Sequence, residues 1–72
     1  MKLTDAKVDE ALKIISVDSG SYQHRLLSMG MIEGCSVCPL QKNGTTTLVD
    51  VGGCRYALSK EITDCIHVST PL

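Results

Sequence analysis

Two hydrophobic periods run along this chain, and the change between them falls at Gly30 to Gly34. Before it, Ala11–Val17 (Ala-Leu-Lys-Ile-Ile-Ser-Val) ends β-branched and is closed by the turn cluster Asp18-Ser19-Gly20, which predicts a first strand. Its alternation sets Lys13, Ile15 and Val17 on one face and Leu12, Ile14 and Ser16 on the other. Ser21 to Met29 reads as about two helical turns, capped by Ser19 or Ser21, with Leu26, Leu27 and Met29 as its apolar side. Gly30 stands where a left-handed helix stop is expected, and Met31 follows as the residue that touches Leu26 in such a stop.

From Gly34 onward the period is that of strands. Cys35–Leu40 and Thr45–Val51 are joined by Gln41-Lys42-Asn43-Gly44, and Asn-Gly between strand patterns predicts a hairpin. Pro39 has no N–H for a ladder, so its strand is an edge or is bulged there. Gly52-Gly53 is a second tight turn and Cys54–Leu58 a further strand. Ser59–Asp64 caps and forms one helical turn, and Cys65–Ser69 closes the fold with Ile66 and Val68 facing away from His67 and Ser69. At the other end Thr4 is placed to cap a short turn within Leu3–Val8. The expected fold is mainly β: a small barrel of about five strands, with one short helix inserted after the first strand.

Composition narrows the function. The 72 residues make one domain, 1–72, whose small core leaves modest stability. Seven Lys and Arg against eight Asp and Glu give a net charge of −1, with no basic footprint for nucleic acid. Two tyrosines are the only aromatics, too few for a base-stacking platform. No apolar run has the length of a signal peptide or a membrane span, so a soluble cytoplasmic protein is expected, with its four cysteines reduced.

Leu26-Leu27-Ser28-Met29-Gly30-Met31-Ile32-Glu33-Gly34 resembles the LL-x-x-G-hydrophobic-x-x-G signature of the ferrous iron transport protein A (FeoA) family. Gly53-Cys54-Arg55-Tyr56-Ala57-Leu58-Ser59-Lys60-Glu61 resembles that family's second signature. The order of elements matches from about Leu3 to Val68. The resemblance implies an SH3-like barrel that accompanies the ferrous iron permease, a membrane protein with a cytosolic G-protein domain. It implies a regulatory or assembly partner and not an enzyme. The same module occurs as the C-terminal domain of metal-dependent repressors, but this chain has no room for a helix-turn-helix. It departs from the family at Lys7-Val8-Asp9-Glu10, where a glycine often precedes the first strand, and in a shorter loop at Gln41–Thr46.

Individual residues carry the remaining expectations. Met29, Met31 and Ile32 exceed what a short helix buries under a small barrel and are candidate partner contacts, with Leu26 and Leu27 assigned to the core. Arg25 and Arg55 suit an acidic partner surface or phosphate, or local pairs with Asp18, Asp50 or Glu61. Gly30, Gly34 and Gly53 are structural. No cofactor is required; the alternative function is a module that binds or senses a transition metal, iron or zinc, through Cys35 and Cys38 and with His67 as a further ligand. Cys35 and Cys38 meet one ion only if Cys35 lies in the Gly34 turn, because residues three apart on a strand face opposite ways. His24 and His67 are otherwise surface residues. Self-association is compatible with the chain; nucleic-acid binding and membrane insertion are not expected.

Overall fold

A computed structural model describes residues 1–70. Five antiparallel strands, β1 (Leu12–Val17), β2 (Ser36–Asn43), β3 (Thr46–Val51), β4 (Cys54–Ser59) and β5 (Ile66–Ser69), form one sheet in the order β4-β3-β2-β1-β5. Helix α1 (Gln23–Ser28) lies between β1 and β2, and the single turn α2 (Lys60–Thr63) between β4 and β5. A 3-10 turn over Leu3–Asp5 precedes β1.

Alternation decides the core. Leu12 and Ile14, Val37, Val49 and Val51, Leu58, and Ile66 and Val68 come from all five strands and are all buried. One sheet hides its whole inner face only by curling on itself, as a small barrel does. Leu3 and Ala6 from the N-terminal turn and Leu26 and Met31 from the helix region complete the same cluster. The fold class is the one the strand spacing predicts.

The turns follow their chemistry. Gly52 and Gly53, at φ 59° and 89°, close the β3–β4 hairpin on the pair Val51–Cys54. The β2–β3 hairpin is tighter than the expected connection Gln41–Gly44: β2 runs on to Asn43, which pairs with Thr46, so the loop is Gly44-Thr45. Pro39 is bulged and not at an edge. Strand β2 sits between β3 and β1, the register slips between Pro39 and Gln41, and the Pro39 carbonyl accepts the Asp9 N–H at 2.7 Å. A second slip between Ile14 and Ser16 in β1 turns Val17 partly inward, against the simple two-face reading.

Caps differ from expectation. Helix α1 starts at Tyr22 with no side-chain cap from Ser19 or Ser21, and the Gln23 N–H bonds the Gly20 carbonyl instead. Ser59 stands at the N-cap of α2, also without a side-chain bond. Thr4 does not cap its turn. Its hydroxyl lies 2.7 Å from the Thr63 hydroxyl and 2.5 Å from Asp64 Oδ1, which ties the N-terminal turn to α2. That hydrogen bond and then the Lys60 ammonium hold the Asp64 carboxyl below its ordinary range.

Candidate partner-binding surface

The helix-to-strand junction is built by a complete C-terminal stop. Gly30 adopts φ +86°. Its N–H donates to the Leu27 carbonyl at 3.1 Å, and the Met31 N–H to the Leu26 carbonyl at 3.0 Å, the two bonds of a Schellman motif. Leu26 and Met31 are both buried in the core cluster, as the apolar pairing of that motif requires. Gly34, at φ +91°, then docks the junction on β1 by donating to the Ile14 carbonyl at 2.8 Å, while the Cys35 carbonyl accepts the Ile14 N–H at 2.9 Å.

This geometry redistributes the apolar residues. Met31 is 1% exposed, so it is core and leaves the candidate contact surface. Leu27, assigned to the core from sequence, is 57% exposed. The Schellman turn explains the exchange: it carries the chain back over Leu26, which directs Met31 inward and leaves the outer side of α1 to Leu27. Ile32 stays outside at 44%, and Ile15 on the outer side of β1 at 46%. Met29 is half-buried against the core.

Two open grooves flank the junction. One, of 470 Å³, is lined by Met29, Gly30, Cys35, Ser36, Val51 and Gly52, so the Gly30 stop and the start of the β3–β4 turn meet along it. The other, of 260 Å³, is lined by residues that include Val17, Leu27, Ile32 and Glu33. Sequence reasoning missed the part of Leu27 and Ile15; the signal was available for Ile15, which alternates with the buried Leu12 and Ile14.

The charged candidates are separate. Arg25 and Arg55 are exposed, and the ion pairs among the described residues are Lys60–Asp64 and His67–Asp18, so neither arginine makes the local pair considered for it. Arg55 sits across from Asp50 in the β3–β4 register, but the Asp50 carboxylate accepts the Gly53 N–H at 3.0 Å instead. That bond braces the turn containing Gly53. His24 is exposed on α1, whereas His67 Nε2 lies 2.9 Å from Asp18 Oδ1 on the outer side of β5. The Tyr22 hydroxyl donates to Glu61 at 3.0 Å, linking α1 to α2, and this bond to a carboxylate raises the phenol above its ordinary value.

Cys35 precedes β2, in the Gly34 turn, and packs on the core cluster. Cys38 lies within β2, where it alternates with the buried Val37 and Pro39 and so faces outward. All four cysteines are free thiols. Among the described residues no group of three or more His, Cys, Asp or Glu side chains is placed to hold a metal ion. None of the described helices is long and apolar enough to cross a membrane.

The FeoA domain family matches residues 1–70. Among solved structures, iron(II) transport protein A from Clostridium thermocellum is 25% identical, with a TM-score of 0.90 over 97% of this chain and 45% of that one. FeoA from Stenotrophomonas maltophilia, a procaryotic SH3 domain protein complexed with zinc, is 25% identical, with a TM-score of 0.86 over 96% of this chain and 89% of that one. A manganese-dependent transcriptional repressor is 12% identical and covers all of this chain with 41% of its own, at a TM-score of 0.86; that likeness is one of fold. No curated protein matches the chain.

Proposed function

Since the chain belongs to the FeoA domain family, non-catalytic accessory proteins of ferrous iron transport, we propose that it docks on the cytosolic part of the ferrous iron permease through the strip Leu27–Ile32. The observation that supports this reading is the exposure of Leu27 and Ile32 on either side of the Gly30 stop. Apolar side chains held outward on a rigid junction are an ordinary basis for a protein contact. Met29 lines the adjoining groove, and Arg25, on the same helix, adds a cation free to meet an acidic rim. Arg55 lies on β4 and belongs to the same contact only if the partner spans the β3–β4 turn.

Binding of the chain to the full permease, with and without guanine nucleotide, tests this. The double substitution Leu27→Ser with Ile32→Ser should weaken association at least tenfold while the melting temperature stays within a few degrees. Unchanged affinity of the double variant overturns the assignment of this strip.

The second reading is a metal-binding module. The zinc complex of the Stenotrophomonas maltophilia protein favours it, and Cys35 lies in the Gly34 turn as one shared ion requires; the lack of a third ligand among the described residues counts against that pair. Zinc titration of the reduced protein and of Cys35→Ser with Cys38→Ser decides it, and equal affinity in both excludes these thiols.

A further inference from the structure

The two ends of the sheet are treated differently. The outer edge of β5 is covered: the Val68 N–H donates to the Met1 carbonyl at 2.8 Å, the Met1 ammonium reaches the Val68 carbonyl at 3.3 Å, and Lys2 bridges to His67. The outer edge of β4 is not. Among the described residues its backbone hydrogen-bonds only to β3, in an unbroken register from Val51–Cys54 to Thr46–Ser59. It contains no proline or bulge, and its one charge is that of Arg55.

Antiparallel pairs alternate between exchanging both hydrogen bonds and exchanging none. The two-residue turn closes on Val51–Cys54, so Cys54, Tyr56 and Leu58 bond to β3, and Arg55, Ala57 and Ser59 turn their N–H and C=O groups outward. All three of those residues are exposed. The outward edge is self-complementary about its middle residue. An antiparallel second copy centred on Ala57 sets Ala57 against Ala57, and Arg55 against Ser59. No like charges meet, and the smallest side chain stands at the two-fold axis, where Cα atoms approach to about 5.5 Å. Centring on Arg55 instead would oppose two guanidiniums.

We infer that the free edge of β4 is a homodimer interface, in which two copies pair their β4 strands antiparallel about Ala57 and join two five-stranded sheets into one. Four backbone bonds hold it: Ala57 N–H to the Ala57 carbonyl of the second copy and the reverse, and each Ser59 N–H to the opposite Arg55 carbonyl. The Ser59 carbonyl is not available, because an N-cap carbonyl accepts the first bond of its helix. A contact of this size is weak and concentration-dependent. It lies on β4 and leaves the Leu27–Ile32 strip open, so it stands independently of the docking proposed above.

Sedimentation of the full chain in reductant, from micromolar to about millimolar, reads the association, and amide exchange at both ends of that range locates it. The expected result is a monomer–dimer equilibrium in which the Ala57 and Ser59 amides slow on concentration while Tyr56 and Leu58 do not change. Ala57→Lys opposes two ammoniums at the axis and should abolish the dimer with the fold retained. Ala57→Pro removes the outward N–H without breaking a bond to β3, and should do the same. Three results overturn the inference: a monomer at every concentration, a dimer that appears only without reductant, or a dimer unaltered in Ala57→Lys.

Discussion

Replacing Gly30 tests the junction on which the surface depends. A Cβ built at Gly30 meets no atom within 4 Å, so an added side chain causes no clash. The cost is conformational. At φ +86° an L-residue with a Cβ is strained by roughly 1–2 kcal/mol. Gly30→Ala should therefore destabilise the protein by about 1–2 kcal/mol if the turn holds. Gly30→Val adds a β-branched side chain that tolerates this region worse. If the Schellman bonds give way, Met31 also leaves the core, and exposing a buried methionine costs a further 1.5–3 kcal/mol or so. Gly30→Val is then expected at up to about 5 kcal/mol, and Gly30→Asn below Ala, because Asn accepts left-handed backbone. In a domain of this size each kcal/mol lowers the melting temperature by roughly 4–8 °C. Thermal unfolding followed by circular dichroism should rank the variants Gly, Asn, Ala, Val in falling stability. A Gly30→Val protein melting within about 2 °C of the parent would refute the reasoning, since the added Cβ meets no atom whose contact could offset the backbone strain.

Two further predictions separate neighbours that look alike in sequence. Met31→Ala should cost about 2–5 kcal/mol in urea unfolding, because it empties a core position, while Ile32→Ser should stay within about 0.5 kcal/mol; equal effects would contradict the burial assigned to the pair. Asp9 holds φ +67°, the left-handed region, in an exposed turn. Asp9→Gly relieves that conformation and should raise stability by a few tenths to about 1 kcal/mol; a lower urea midpoint would show that Asp9 is not strained.

Asp9 also explains one departure from the family pattern. The stretch Lys7-Val8-Asp9-Glu10 lacks the glycine often found before the first strand, yet the backbone keeps a left-handed residue there. Aspartate is among the few side chains that tolerate it. The Glu10 N–H closes the turn on the Lys7 carbonyl at 3.3 Å, and Asp9 then donates to Pro39. The left-handed turn is therefore present here without a glycine, a fact that a glycine-counting reading of the sequence does not reveal.

Local chemistry carried much of the architecture. Strand periods, the two hairpin glycine sites and the Gly30 stop are all visible in the sequence, because each depends on residues within a few positions of one another. The helix stop in particular was legible down to its partners, Leu26 and Met31. What the sequence leaves open is which apolar residues near the stop face water. Leu27 and Met31 are both apolar and four positions apart, and their fates differ because the turn at Gly30 reverses the chain and brings Met31 back beside Leu26. The free edge of β4 is similarly a tertiary fact. Both end strands read alike along the chain, and only the return of Met1 and Lys2 to β5 covers one and leaves the other. Local backbone preferences determine the elements of this protein; which sheet edge stays open is decided by contacts between residues more than sixty positions apart, which no short-range pattern encodes.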